Sequence, residues 1–143
     1  MLRSSVKAGA LLLLAVLAGC GGSDRPTMAE TVGTVTYKSK PLPKANVVFM
    51  PASGPAAYGS TDENGVFALS TQGDPGAMVG SGTFVITAYD ELPEPKPEHL
   101  LTAADLKKMN TSLIPTKYGR PETSGLKETI KPDIKNEFKF DLQ

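Results

Sequence analysis

The chain has 143 residues, of which 15 are basic and 15 acidic, so its formal net charge at pH 7 is zero. Its single cysteine has no partner for an intrachain disulfide, and the balanced charge supplies no basic surface for nucleic acid. The length predicts one small domain, which we expect to be a monomer.

The N-terminal segment predicts export and lipid attachment. Arg3 and Lys7 precede an uncharged, leucine- and alanine-rich run over residues 8–18. This run has the length of a signal-peptide core and is too short for the roughly 20 residues that span a bilayer. It ends in Leu-Ala-Gly-Cys with Cys20 last, which resembles the lipobox of bacterial lipoproteins. An ordinary secretory signal with an incidental cysteine is the alternative.

The lipobox resemblance implies a lipid anchor on Cys20. In that family the cysteine sulfur receives a diacylglyceryl group, residues 1–19 are removed as a signal peptide, and the new amino terminus is acylated. Two or more acyl chains hold a protein stably on a membrane, whereas one chain does not. We therefore expect a cell-envelope protein facing the periplasm or the exterior, and Gly21 favours the outer membrane over the inner.

The residues after the cysteine predict a short tether and then a β-domain. Residues 20–30 lack apolar periodicity and predict a flexible tether that keeps the domain close to the membrane. Short stretches of alternating polar and apolar residues follow, and Phe138, Phe140 and Leu142 share one face of the last stretch. Such alternation is typical of antiparallel sheets with one solvated face. We expect an all-β domain over residues 31–143, an antiparallel sandwich of about seven Greek-key strands.

One segment, residues 93–117, interrupts the strand pattern and predicts an excursion from the sandwich. It opens with alternating prolines, which favour extended backbone. Thr102 and Asp105 then have the spacing of a capping box, which predicts a short helix with Leu101, Leu106 and Met109 on an apolar side. The excursion is either a lid packed over one end of the sandwich or a functional loop.

Three segments, taken in order, resemble a known family. They are GTVTY at residues 33–37, PLPKANVVF at 41–49 and TDENGVF at 61–67. Together they resemble the carboxypeptidase regulatory-like domain, a transthyretin-like β-sandwich, with Lys44 where the family has glycine. The C-terminal part is similar to small bacterial envelope lipoproteins that carry this domain. The resemblance implies an accessory role, since the chain lacks a His-Glu-x-x-His zinc site.

The candidate metal ligands do not form a site in the sequence. Asp62 and Asn64 could begin a calcium loop, but the acidic ligands that such a loop needs further on are missing. A hairpin turn with Gly65 at positive φ explains these residues better. His99 is the only histidine, and we expect it to be solvated. We expect no metal, no cofactor and no catalytic residues.

Two further groups of residues are candidates for other roles. An internal isopeptide bond, as in related adhesin domains, would join Lys38 to Asn136 with Glu128 as its acid. The alternative is that Lys38 and Asn136 are solvated at strand ends. Tyr118 and Arg120 lie in one loop and have the composition of a recognition surface, but ordinary loop packing accounts for them equally well.

These observations predict a non-catalytic, membrane-anchored envelope lipoprotein that serves as a structural or protein-interaction module. Its partner would be an envelope protein or a glycan. The alternative is a carrier of a small ligand or glycan, with residues 93–117 as its lid.

Overall fold

The alternating segments of the sequence form β-strands in the computed structural model, which describes residues 27–91 and 97–143. The strands, in chain order, are β1 Met28–Ala29, β2 Thr31–Tyr37, β3 Lys40–Pro41, β4 Asn46–Pro51, β5 Ala57–Ser60, β6 Val66–Ala68, β7 Ser70–Thr71, β8 Asp74–Pro75, β9 Ala77–Met78, β10 Gly80–Thr87, β11 Leu126–Ile130 and β12 Asn136–Leu142. The helical segments are the 3₁₀ helices Glu98–Leu100 and Thr116–Gly119 and the α-helix α1, Ala103–Met109. The predicted all-β class with one short α-helix is confirmed.

The strands form two main sheets that enclose the core. The larger sheet has the order β11-β10-β4-β5-β7-β8, and the smaller has β12-β2-β3, with β6 also paired to β2. β1 and β9 form a separate short ribbon. The domain begins three residues before the predicted boundary, because β1 lies within the segment predicted as tether.

One strand pair departs from the predicted antiparallel arrangement. β12 runs parallel to β2, with Asn136 opposite Thr31 and Leu142 opposite Tyr37. The other strand pairs in the described part of the chain are antiparallel. Alternation of polar and apolar residues shows that one face is buried, but it does not encode the direction of the neighbouring strand.

The inward faces of the strands form the core. Its buried apolar residues include Val35, Ala45, Val47, Phe49, Phe67, Leu69, Phe84, Ile86, Ala88, Phe140 and Leu142. Burial of Phe140 and Leu142 confirms the face predicted for the last strand. Phe138 was expected in the core as well, but it is only partly buried, because it borders an opening between β11 and β12.

All five phenylalanines of the chain meet in one aromatic cluster. Phe84 lies at its centre, with ring centroids 4.8 Å from Phe140, 5.0 Å from Phe49 and 5.2 Å from Phe138. Phe67 is 6.3 Å from Phe84 and 6.4 Å from Phe140. Because these rings come from both sheets, the cluster joins the two layers of the sandwich.

Gly33 makes room for this cluster. A Cβ atom at this position would lie 2.6 Å from the Phe67 ring and 2.6 Å from the Phe138 carbonyl oxygen. Gly33 is paired with Phe67 on one side and with Phe138 on the other. Because Gly33 has no side chain, the Phe67 ring can lie against β2 at this position.

The sandwich has two distinct ends. β2 and β12 run in the same direction, and β10 begins beside them, since Gly82 and Asn136 line one groove. At their starting ends, the Asn136 amide donates to the Glu30 carbonyl oxygen at 2.8 Å, and the Val79 amide donates to the Thr27 carbonyl oxygen at 2.9 Å. We call this the proximal end, where the described chain begins. The distal end lies about 20 Å away, at the far end of β12, for a rise of about 3.3 Å per residue.

Candidate functional site

The predicted excursion leaves and rejoins the sandwich at the distal end. Tyr89, just after β10, forms a β-bridge with Ser112. The Leu113 amide donates to the Ala88 carbonyl oxygen at 2.9 Å, and the Asp90 amide donates to the carbonyl oxygen of Thr111 at 3.1 Å. These contacts close the base of the excursion, so its helical part projects from the distal end.

The capping box predicted for this segment is present. The Asp105 amide donates to the Thr102 hydroxyl oxygen at 3.2 Å, and the Thr102 amide donates to an Asp105 carboxylate oxygen at 2.9 Å. The two bonds satisfy backbone groups that a helix start leaves free. They stabilise a helix of only seven residues, which would be marginal by itself.

The apolar side of α1 is exposed. Leu106 and Met109 share a helix face and are 48% and 42% exposed. None of the α1 residues is buried. Leu100 and Leu113, before and after the helix, are exposed as well. We call these four side chains the distal apolar residues. In the described residues, then, the helix does not close over the sandwich as the lid interpretation expects.

Two ion pairs lie at the base of the excursion. The Lys108 ammonium lies 3.8 Å from the Asp90 carboxylate, which links α1 to the end of β10. Lys44 donates to the Glu91 carboxylate at 2.5 Å. This hydrogen bond raises the pKa of Lys44 above its ordinary value of 10.5, and the negative charge of Glu91 acts in the same direction. Lys44 is therefore charged at neutral pH.

A small cleft lies under the base of the excursion. Its volume is about 200 Å³, and Ile86, Tyr89 and Ser112 contribute to its wall. Pockets that enclose drug-sized ligands measure about 300–1,000 Å³. Of the two loop residues predicted as a recognition surface, only Arg120 is exposed, at this cleft.

Tyr118 has a structural role instead. Its side chain is buried, and its hydroxyl oxygen accepts a hydrogen bond from the Gln143 amide at 3.1 Å. The Lys117 ammonium lies 4.7 Å from the ring centroid. The prediction that Tyr118 contacts a partner was wrong, because a buried ring that fixes the C-terminal strand offers no free surface.

A larger groove opens between the edge strands β11 and β12. It has a volume of about 900 Å³, and Gly82 and Phe138 form part of its wall. Glu128 lies on the same face of β11 as the buried Ile130 and therefore points into this groove. An inward-pointing charge is one way in which natural sheets protect an exposed edge.

The structure does not bring together the residues of the proposed isopeptide bond. Asn136 begins β12 at the proximal end, whereas Lys38 follows the far end of β2. They are separated by about 20 Å along the strands. The bond requires direct contact between the lysine nitrogen and the amide carbon, so this hypothesis was wrong. Glu128 lies near Asn136 but not near Lys38.

Asn136 instead holds the turn over residues 131–135. Its side-chain nitrogen donates to the carbonyl oxygens of Lys131 at 2.9 Å and Ile134 at 3.2 Å. Its side-chain oxygen accepts from the Lys131 amide at 2.9 Å. The residue is 5% exposed, so these bonds satisfy a buried amide. Pro132 and Asp133 are a turn signal that could have identified this feature in the sequence.

The Asp62 turn and His99 are the remaining candidate residues. The Asp62 carboxylate accepts hydrogen bonds from the amides of Asn64 at 2.8 Å and Val66 at 2.9 Å, and Gly65 has φ of +75°. This is a hairpin turn. His99 is exposed in its 3₁₀ helix. Within residues 27–91 and 97–143, no three histidine, cysteine or acidic side chains gather as metal ligands.

Cys20, predicted to carry the lipid, lies outside the described residues. Among the helices that the structure does describe, none is long and apolar enough to cross a membrane. Comparison of this chain with protein families, with curated proteins and with solved structures found no match.

Proposed function

We propose that this protein is a non-catalytic lipoprotein of the bacterial envelope, which is anchored through Cys20 and presents its distal end to a partner protein. One observation carries the proposal. The described chain begins at the proximal end of the sandwich, and the exposed excursion projects from the opposite end. An anchor at one end and an apolar surface at the other is the arrangement that a tethered interaction module requires.

Covalent geometry limits how far the domain can lie from the membrane. Seven Cα–Cα steps separate Cys20 from Thr27, which corresponds to at most about 25 Å of extended chain. The sandwich adds about 20 Å between its ends. The distal end of the sandwich would therefore lie within about 45 Å of the lipid-bearing residue, so a partner at the excursion would be close to the membrane surface.

The distal apolar residues have the character of a contact surface. Leucine and methionine side chains gain free energy when a partner removes them from water, and methionine adapts to irregular surfaces. The capping box and the pair between Lys108 and Asp90 hold α1 in place before any partner binds. A surface that is already ordered loses less conformational entropy on binding.

The cavities favour this role over that of a carrier with a lid. The cleft beneath the excursion, about 200 Å³, is smaller than a pocket for a drug-sized ligand. The groove of about 900 Å³ lies along β11 and β12 and is not bordered by described residues of the excursion. The resemblance to the carboxypeptidase regulatory-like domain also supports an accessory role.

Site-specific photocrosslinking in native envelopes tests the interaction. A photoreactive amino acid replaces Met109 in one variant and Tyr58 in a matched control, whose side chain is 60% exposed on the face of the larger sheet. We expect a discrete protein adduct from position 109, and we expect excess unlabelled wild-type protein to suppress it. The same adduct from both positions, or an adduct that resists competition, would contradict the proposal.

Membrane fractionation tests the anchor separately. The Cys20→Ala variant is expected to accumulate as an uncleaved or soluble form, since it lacks the sulfur that receives the lipid. Normal fractionation of this variant with the envelope would show that Cys20 is not the anchor.

A further inference from the structure

We propose that the turn over residues 131–135 contacts the bilayer surface, with the Ile134 side chain inserted at the interface. This inference rests on the proposed lipid attachment at Cys20. It assigns the membrane as the binding partner of the proximal end and so fixes which way the sandwich faces.

The composition of this turn suits a lipid interface. Ile134 is 52% exposed, although it is among the most apolar residues of the chain. Lys131 and Lys135 stand on either side of it. Lysine side chains can lay their methylene groups along an apolar surface while the ammonium group stays among the lipid headgroups. Ile134, which also borders the groove between β11 and β12, therefore offers an apolar group to the acyl chains, and the two lysines offer charged groups to the lipid headgroups.

The turn is already ordered in the shape that presents Ile134. The buried side chain of Asn136 bonds to the amide and carbonyl of Lys131 and to the Ile134 carbonyl oxygen. Asp133 adopts φ of +59°, a left-handed conformation that aspartate tolerates in turns. Contact with lipid would consequently require little additional ordering of the backbone.

The turn lies beside the point where the chain arrives from Cys20. The Asn136 amide donates to the Glu30 carbonyl oxygen at 2.8 Å, and the Lys135 ammonium lies 2.9 Å from the Glu30 carboxylate. Glu30 is three residues from Thr27, which in turn is at most about 25 Å of chain from Cys20. The lipid anchor thus keeps the turn near the bilayer at all times.

Because the anchor keeps the turn close to the bilayer, even a weak contact of the turn with lipid can orient the domain. Because the anchor converts the contact into an intramolecular event, its effective concentration is high and the turn needs no independent membrane affinity. A single isoleucine can then bias the orientation of the domain. The expected consequence is that the distal apolar residues face away from the membrane.

The charges around the turn indicate that the contact is mainly apolar. The lysines at this end are Lys127, Lys131 and Lys135, and the acidic residues near them are Glu30, Glu128, Asp133 and Glu137. These charges nearly cancel. We therefore expect contact with zwitterionic and with anionic membranes, and little dependence on salt.

Tryptophan fluorescence can test the contact directly, because the chain has no natural tryptophan. Ile134→Trp places the probe at the tip of the turn. Val66→Trp is a matched control, since Val66 is 44% exposed and lies opposite Thr34, midway along β2 and away from the proximal end. Each acylated, full-length mature protein is reconstituted into phosphatidylcholine vesicles with brominated acyl chains, with and without phosphatidylglycerol. We expect quenching of the Ile134→Trp signal to exceed that of Val66→Trp by about twofold, since brominated chains quench a ring at the interface.

The results of the quenching experiment distinguish the membrane contact of the turn from the lipid anchor. Stronger quenching at position 134 in both vesicle types supports the proposal. Equal quenching at both positions, or no quenching in vesicle-bound protein, overturns it while leaving the proposed anchor intact. If the acylated protein does not sediment with vesicles, the proposed anchor fails and this inference fails with it.

Discussion

The Phe84→Ala substitution is expected to destabilise the sandwich more than any change on its surface. The Phe84 ring is fully buried and contacts four other phenylalanine rings, from both sheets. Alanine would remove the ring on which this cluster is centred. The neighbouring rings belong to paired strands, so they cannot move far enough to fill the space.

The packing around Phe84 sets the size of the effect. Replacement of a buried phenylalanine by alanine costs about 3–5 kcal/mol, and the cost is highest where the site cannot collapse. Aromatic pairs add about 0.5–1.5 kcal/mol beyond the buried area. We therefore expect a loss of about 4–5 kcal/mol in the free energy of unfolding. For a domain of this size, that corresponds to a fall in Tm of about 12–25 °C.

Urea unfolding followed by circular dichroism measures this loss. The midpoint should fall while the slope of free energy against urea stays unchanged, because the same surface is exposed on unfolding. Tyr58→Ala is the matched control, since it removes an exposed aromatic ring from a neighbouring part of the larger sheet. Its effect should stay within about 0.5 kcal/mol.

Two outcomes would refute this reasoning. If Phe84→Ala lost less than about 2 kcal/mol, the cluster would not be the rigid centre that the ring distances indicate. If Tyr58→Ala caused an equal loss, aromatic content rather than burial would govern stability.

Three smaller perturbations test other parts of the fold. Gly33→Ala should destabilise by about 1–3 kcal/mol in urea titrations, because the new methyl group would collide with the Phe67 ring. Asn136→Ala should cost a similar amount, about 1–3 kcal/mol, since part-buried backbone groups of Lys131 lose their side-chain partner. The hydrogen bond to Glu30 raises the pKa of Lys135 above 10.5, so the pair stabilises the protein below that pH and ceases to do so as the lysine deprotonates. Lys135→Met should therefore lower Tm slightly at neutral pH, and the difference should vanish at a pH well above 10.5.

Each of these predictions has a control. For Gly33→Ala, Gly73→Ala separates backbone strain from collision: no atom lies near the Cβ position of Gly73, so any loss there comes from its φ of +95°. A Gly33→Ala protein as stable as wild type would show that the Phe67 ring can move aside. For Asn136→Ala, the control is Asn64→Ala, which removes an exposed side-chain amide from another turn. An equal loss of stability from both substitutions would contradict the proposed role of Asn136 in holding the turn over residues 131–135. If the Tm difference between Lys135→Met and wild type persisted above the pKa of Lys135, the methylene chain of Lys135 and not its charge would account for the stabilisation.

Local features of the fold were accessible from the sequence because they depend on neighbouring residues. The capping box of Thr102 and Asp105 and the hairpin at Asp62 are each formed within a few residues. Strand faces were also predictable, since alternation along Phe140 and Leu142 records which side is buried. The lipid-attachment prediction at Cys20 likewise rests on a contiguous motif.

Other features involve residues far apart in the chain. β12 alternates between polar and apolar residues because one of its faces is solvated. This alternation is typical of antiparallel sheets, so it predicted the wrong direction for the pairing of β12 with β2. Asn136 illustrates the consequence. Its position at the start of a strand was compatible with an isopeptide bond to Lys38. The register places the two residues at opposite ends of the sandwich, and the Asn136 side chain instead bonds to the turn over residues 131–135.

The sequence by itself determined the β-class, the inward faces, the helix cap and the expectation of an anchor at Cys20, because short-range patterns encode each of them. Only the tertiary structure decided that the chain enters at one end of the sandwich and that the excursion leaves from the other. That polarity depends on long-range strand pairing, in which contacts between residues about a hundred positions apart outweigh any local preference. Both the proposed partner surface at the distal end and the proposed membrane contact of the proximal turn follow from this polarity.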